Sequence, residues 1–304
     1  SPHPPPTQVF NLTTYPHLVG LFNELGVESE RSDMSFALST DDVEWGSLGL
    51  GAVFAQKKNL VSPSFLNMIR EILKFGKRAP EVLDPSKSAK YEAMTLGEYL
   101  AENGYSTFFI DNYVVPMCAA IWSCSDKDTM QFPVVTLIRF WVNHHLLNVI
   151  ERPLWRVVKG RSKAYVDAVC AALPDVRTST PVVSVKRVPG GVEVTHRGGG
   201  DKPTVELFED VVFACHSDQA LAILGSNASQ SEKNALGAIK YQPNEVYLHG
   251  DKSLMPKNRD AWASWNCLKG SRGCDSGDKS VCVSYWVNLL QNLPEGTPDL
   301  FVTL

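Results

Sequence analysis

The sequence predicts a mixed α/β protein, α+β in arrangement, in which a largely helical region precedes a unit of alternating strands and helices. Three observations in residues 155–224 carry that prediction. A glycine turn, Gly160-Arg161-Ser162, opens a helix through Lys163-Ala164-Tyr165-Val166-Asp167-Ala168-Val169. A β-hairpin follows, with strands Pro181-Val182-Val183-Ser184-Val185 and Val192-Glu193-Val194. Its turn at Pro189-Gly190-Gly191 supplies the positive φ that a tight reversal demands. Third, the apolar run Val211-Val212-Phe213-Ala214-Cys215 reads as a strand over 210–216 that runs straight into a helix at Ser217-Asp218-Gln219-Ala220-Leu221.

The elements before this unit are read from periodicity and caps. Leu18, Leu21, Phe22 and Leu25 recur at helical spacing, which predicts a helix over 8–27 with Gly26 as its stop. Residues 34–45 alternate loosely and predict one or two short strands. Ser62-Pro63 is a cap followed by a first-turn proline. Phe65, Met68, Ile69, Ile72 and Leu73 then mark one apolar face, with Gly76 expected to close the helix. Thr95 with Glu98 three residues later predicts a capping box, and Gly104 ends that helix. Residues 106–122 and 133–149 are apolar enough to form buried helices. After residue 237 the texture turns to strands, at 245–249, 261–266, 281–287 and 300–304. The stretch 270–279, rich in Gly, Ser and Asp, reads as a loop. The predicted organisation is a proline-rich tail (1–8), a largely helical region (9–154), a unit of alternating strands and helices (155–236) and strands of a second sheet (237–304).

At 304 residues the chain can bury one large core or two smaller ones. Its net charge of −4 supplies no basic footprint for nucleic acid and argues against a polybasic membrane patch. No run approaches the roughly 20 apolar residues of a membrane span. The tract Ser1-Pro2-His3-Pro4-Pro5-Pro6 lacks a signal-peptide profile. The cysteines are odd in number and form no Cys-x-x-Cys pair, so reduced thiols in an intracellular, cytoplasmic protein are expected. No cluster of Cys, His or carboxylates has metal-ligand spacing, and no metal is expected. The oligomeric state is not encoded in any motif.

A nucleotide cofactor requires a turn without side chains, so that backbone N–H groups at a helix start can meet phosphate. Gly160-Arg161-Ser162 has that form, and it can equally be a simple helix-start turn. The small residues Ala214 and Cys215 stand at a predicted strand end, where open α/β sheets bind ligands. Gly49-Leu50-Gly51-Ala52-Val53-Phe54 begins like a dinucleotide fingerprint, but Phe54 replaces its third glycine, and Glu71, about twenty residues on, lies in the amphipathic helix. His144 and His145 diverge by about 100° on a helix and do not easily share a metal. They read as polar residues in a packed helix that find hydrogen-bond partners. His216 and His249 are better placed to face a cleft. Trp262, Trp265, Tyr285 and Trp286 either wall an apolar pocket or pack a sheet. Ser123 and Cys124 have no neighbouring base.

These features, with Val9-Phe10-Asn11, Thr14-Tyr15-Pro16, Leu25-Gly26-Val27, Met34-Ser35-Phe36, Pro116-Met117-Cys118-Ala119-Ala120-Ile121-Trp122-Ser123, Arg152-Pro153-Leu154-Trp155, Ala214-Cys215-His216-Ser217-Asp218-Gln219-Ala220-Leu221 and Ala261-Trp262-Ala263-Ser264-Trp265-Asn266, resemble the flavin-containing amine oxidoreductase superfamily. The likeness is to its branch of FAD/NAD-binding oxidoreductases that includes the N-terminal half of plant cyclopropane fatty acid synthases. The resemblance implies a partial Rossmann-type FAD-binding domain with a mixed-sheet and helical substrate domain. It implies FAD as cofactor, with NAD(P)H as a candidate electron donor, and a small-molecule substrate of apolar, amine-like or lipid-like character. It places Gly160, Arg161 and Ser162 near the flavin, Val182 and Val183 at the adenine end, and Ala214 and Cys215 near the phosphates. That branch usually carries two glycines where this chain has Gly160-Arg161. The strand and G-x-G-x-x-G motif that such proteins carry before the part matching Phe10-Asn11, and a flavin-contacting end segment, are expected outside this sequence, which looks like the middle of a flavoprotein. No catalytic residue is assigned. The alternative is a non-catalytic relic or interaction domain of the same fold, associated with a lipid-modifying enzyme.

Overall fold

A computed structural model describes residues 9–122, 126–148, 152–198, 202–241, 243–270 and 282–304. Ser123, Cys124 and all of the expected loop 270–279 except Gly270 lie outside the described residues. In chain order the first elements are β1 (Phe10–Asn11), α1 (Pro16–Glu24), β2 (Ser29–Arg31), β3 (Phe36–Ser39), β4 (Glu44–Gly46), α2 (Gly49–Val53) and α3 (Pro63–Arg78). Helices α4 (Ser88–Tyr91), α5 (Leu96–Glu102), α6 (Thr107–Phe109), α7 (Val115–Trp122), α8 (Asp126–Gln131) and α9 (Val134–Asn143) follow, with a π-helical turn at Ile110–Val114. Then come β5 (Trp155–Val158), α10 (Ser162–Ala172), β6 (Val182–Val188), β7 (Gly191–His196), β8 (Thr204–Phe208), α11 (Ser217–Leu224) and α12 (Gln230–Ala238). The chain closes with β9 (Tyr247–His249), β10 (Trp265–Leu268), β11 (Cys282–Trp286), α13 (Val287–Leu290) and β12 (Phe301–Thr303).

The chain divides into two units, Ser1–Val169 with Asn244–Leu304, and Cys170–Pro243. The larger unit is built on a six-stranded mixed sheet in the order β4-β3-β10-β11-β12-β9. Strands β3 and β10 form its parallel pair, with Phe36 opposite Trp265 and Leu38 opposite Cys267. The other pairings in that sheet are antiparallel. A small antiparallel sheet, β1-β5-β2, belongs to the same unit.

The helices of this unit bury a continuous aromatic and aliphatic core. Phe75 is fully buried and meets Tyr99, Tyr105 and Trp141 edge-on, with ring centroids 6.3, 5.6 and 5.7 Å away. Such edge-to-face pairs add about 0.5–1.5 kcal/mol each beyond area burial. The caps are local. The Ser62 side chain accepts from Phe65 N, and Thr95 with Glu98 closes a full capping box on α5. Helix α3 runs past Gly76 to Arg78, so that glycine is no stop. It is a close-approach residue, because a Cβ there would lie 2.6 Å from the Leu147 carbonyl oxygen.

Two other expectations shift in the larger unit. The helix expected over 8–27 is a strand followed by a shorter helix, because Asn11 Oδ1 accepts from Thr13 N and Thr14 N in a turn that hands over to Pro16. The strand expected over 261–266 starts at Trp265. Asn258 caps a 3₁₀ turn at Arg259–Ala261, and Asn266 Oδ1 takes the Ala263 N–H.

The smaller unit is an antiparallel meander, β6-β7-β8, covered by α11 and α12. Its hairpin turns in the two-residue loop Pro189-Gly190, with Gly190 at φ 91°. Val185, Val194, Leu224 and Ala228 form its core. The strand expected over 210–216 is not one. The chain from Val211 to His216 makes no strand pairing among the described residues, although Val211 and Phe213 pack on that core. A strand exists only where a neighbour supplies the ladder, and an apolar alternation does not by itself provide one.

Candidate functional site

The larger unit encloses a cavity of about 720 Å³ against its mixed sheet. Phe36 and Trp265 line it from the parallel pair, Met68 and Ile72 from α3, and Met117 and Ala120 from α7. That volume lies within the range of small-molecule sites. The wall is mostly aliphatic and aromatic, so a ligand there leaves water behind.

The polar groups on the wall are few. Asp33 is the carboxylate among the described lining residues. Its Oδ1 accepts from Ser35 N at 2.8 Å, from Ser264 Oγ at 2.7 Å and from Ser35 Oγ. This network ties the entries of β3 and β10 together, since Ser264 N also donates to Ser35 Oγ at 3.1 Å. Asp33 escaped the sequence reading. The sequence signal for it is an Asp-x-Ser pair just before a strand, Asp33-Met34-Ser35 ahead of β3.

Tyr113 reaches the wall from the π-helical turn, an insertion that widens the helix and recurs at functional sites. It stacks on Phe109 at 5.4 Å, and burial pushes its phenol up to about 12. The Trp45 indole N–H donates to Asn112 O at 3.3 Å, which anchors that turn to β4. His144 and His145 both line the cavity. His144, at the end of α9 rather than within it, stacks on Phe140 at 4.0 Å, and its Nδ1 lies 2.9 Å from Phe140 O, a hydrogen-bond partner of the kind expected.

Of the aromatic set, Trp265 lines the cavity and Tyr285 packs edge-on against it at 4.9 Å. Trp262 and Trp286 belong to a separate cluster with Met255 and Phe301. His249 is held in the sheet, with Nε2 2.7 Å from Thr303 Oγ1, and His216 stacks on Tyr241 at 4.4 Å. Glu71 accepts from Ser106 N at 2.7 Å and so caps the α6 turn. Gly49 starts α2 at φ 82°.

The cofactor positions expected from sequence fall in both units. In the larger, Gly160 and Arg161 form the turn between β5 and α10 with φ of 79° and 71°. For Arg161 this left-handed backbone costs about 1–2 kcal/mol. Its N–H closes the turn on Val158 O at 2.9 Å, and its guanidinium pairs with Glu30 at 2.8 Å. Ser162 is the first residue of α10. In the smaller unit, Val182 and Val183 are exposed on β6, an edge strand. Val183 sits at a bulge, between the register pairs Val182–His196 and Ser184–Thr195, so its backbone stands outside the ladder. Ala214 and Cys215 are exposed just before α11. Among the described residues no group of three or more His, Cys, Asp or Glu side chains could hold a metal ion. No helix among them is long and apolar enough to cross a membrane.

No protein-family model matches this chain, and no curated protein matches it in sequence. Solved structures match it in fold. A double mutant of putrescine oxidase with redesigned cofactor binding overlays on 97% of this chain and 63% of its own, at 13% identity and a TM-score of 0.58. Cyclohexylamine oxidase from Brevibacterium oxydans covers 97% of this chain and is covered over 62% of its own, at 13% identity and a TM-score of 0.56. A protoporphyrinogen oxidase-like protein from Exiguobacterium covers 97%, with 63% of its own chain, at 14% identity and a TM-score of 0.54. The architecture is thus the fold that these oxidases share. The chain spans just under two thirds of the length of these structures.

Proposed function

We propose that this chain is a large part of an FAD-dependent oxidoreductase of amine-oxidase type, acting on a small apolar or amine-like substrate. The observation that carries the reading is the apolar cavity of about 720 Å³ set against the mixed sheet of a fold shared with amine oxidases. The finer placement, in the branch that includes the N-terminal half of plant cyclopropane fatty acid synthases, rests on the residue matches quoted above. Cys170, Cys215 and Cys267 are free thiols, in keeping with an intracellular, cytoplasmic protein.

The residues fit the cofactor in two respects. The edge strand β6, with Val183 outside the ladder, has backbone groups open to an adenine. Ala214 and Cys215 are small and exposed ahead of a helix N-terminus, which favours phosphate. The residues that would hold FAD are therefore Val182, Val183, Ala214 and Cys215, with Gly160, Arg161 and Ser162 as flavin neighbours. FAD, when bound, supplies a hydride acceptor for a C–H bond beside nitrogen, or for reduced nicotinamide. The chain's part is to bind and orient. The walls of Phe36, Met68, Met117 and Trp265 exclude water from the substrate, and the hydrogen-bonded Asp33 offers a fixed acceptor at the sheet end of the cavity.

One observation favours a second reading. Arg161 occupies a left-handed position with a bulky, ion-paired side chain where a second glycine is usual, which suits a non-catalytic relic of the fold. A single experiment separates the two. The purified chain is incubated with FAD, gel-filtered, and its absorption spectrum recorded. Flavin bands near roughly 370 and 450 nm that co-elute with protein support the oxidoreductase. A folded, colourless protein, both as this chain and in its complete gene product, sinks that reading and leaves the relic. Anaerobic bleaching of bound flavin by an amine or by NAD(P)H then identifies the donor.

A further inference from the structure

The mouth of the cavity is greasy and basic. Leu48, Leu50, Leu73 and Leu154 line the cavity and are each more than half exposed, Leu50 at 78%. Val61, at the end of the following 3₁₀ turn, is 80% exposed. Folded proteins seldom leave such a group of aliphatic side chains in water without a use. In the sequence that carries three of these leucines, residues 48 to 78 hold Lys57, Lys58, Arg70, Lys74, Lys77 and Arg78 against a single acid, Glu71. That acid is buried and bonded to Ser106. Lys74 reaches Asn103 O and the Tyr105 ring, and Arg78 approaches Glu81. Lys57, Lys58, Arg70 and Lys77 are exposed and have no ion-pair partner among the described residues. The whole-chain charge of −4 conceals this local excess. On α3, Arg70, Leu73 and Lys77 fall at i, i+3 and i+7, so the exposed leucine lies between two cations on one helix face.

We propose that this face docks on an anionic lipid bilayer. Aliphatic side chains that dip into the headgroup boundary, ringed by cations that meet acidic headgroups, are the two elements interfacial binding requires. A polar or neutral partner would leave the cations uncompensated, and a nucleic acid would leave the leucines in water. The cavity opens through the same leucines, so an apolar molecule can pass from the bilayer into it without crossing water. The docking surface stands independently of the flavin reading.

The test is flotation of the full chain, without added flavin, on vesicles of phosphatidylcholine alone and of phosphatidylcholine mixed with phosphatidylserine. The chain floats with the mixed vesicles, and the binding falls steeply with added salt. The double variant Lys57→Gln/Lys58→Gln partitions roughly thirtyfold more weakly, and Val61→Asp weakens binding at high and low salt alike. Far-ultraviolet circular dichroism confirms that each variant is folded. A folded chain that stays unbound with acidic vesicles at low salt overturns the proposal. Binding that ignores the lysine substitutions does so too. A dimer in gel filtration that Val61→Asp dissociates assigns the face to a second copy of the chain and likewise overturns it.

Discussion

Arg161 Nη1 stands 2.8 Å from Glu30 Oε1, so the turn that opens α10 is tied to β2 by an ion pair that is only about a third exposed on either side. The same guanidinium reaches Asn292 O at 3.3 Å. One side chain thus fastens a left-handed turn to two distant segments.

Arg161→Gly therefore sets two effects against each other. The glycine removes left-handed strain of about 1–2 kcal/mol, while the lost ion pair costs about 0–1 kcal/mol. The expected net change in urea unfolding free energy runs from none to a gain of about 2 kcal/mol. FAD affinity, read by flavin fluorescence quenching, rises if the turn is a flavin neighbour. Unchanged flavin affinity removes Arg161 from the cofactor site.

Two helical glycines should respond in opposite directions to alanine. Gly20 in α1 has no atom within 4 Å of an added Cβ, and Gly20→Ala stabilises by about 0.5–1 kcal/mol. Gly76→Ala puts its Cβ 2.6 Å from a backbone oxygen of Leu147. It is expected to destabilise by about 1–3 kcal/mol despite the better helix propensity. Chemical denaturation of both variants checks the pair.

Glu232 makes the smaller unit acid-sensitive. The Arg187 guanidinium, then the Ser229 backbone N–H and hydroxyl, hold its carboxyl down to about 2. A folded-state value below the ordinary 4.5 means that the stabilisation is complete above that pH. It is lost as pH falls from there through about 2. Because the pair is exposed the effect is small: urea unfolding followed by circular dichroism should give slightly lower stability at the bottom of that window than at its top, and Glu232→Gln should reduce the difference.

The buried tyrosines act at the other end of the scale. Burial pushes Tyr105, Tyr113 and Tyr285 up to about 12 and raises Tyr99 as well. The Tyr99 and Tyr105 hydroxyls have no hydrogen-bond partner among the described residues. Folded-state values above the ordinary 10.0 mean full stabilisation below that pH, lost as pH rises from 10.0 through about 12. Tyrosinate absorbance should therefore rise in two phases, the second coincident with loss of circular dichroism. A single phase with the fold intact would contradict the packing around Phe75.

The sequence by itself determined the features whose hydrogen bonds close within a few residues. The Ser62 cap, the Thr95–Glu98 capping box and the Pro189-Gly190 hairpin loop all stand where the residue types require. Side chains of this kind satisfy backbone groups next to them, whatever the rest of the chain does. The mixed α/β class was legible for the same reason. Only the tertiary structure decided the parallel pairing of β3 with β10, the approach of Leu147 to Gly76 and the ion pair of Arg161 with Glu30. It also decided that residues 211–216 pack by Val211 and Phe213 without joining a ladder. The cavity belongs here too, since its walls come from segments at both ends of the chain. Such contacts join residues far apart in sequence, and no local pattern records which partner a strand edge, a glycine or a charge will meet.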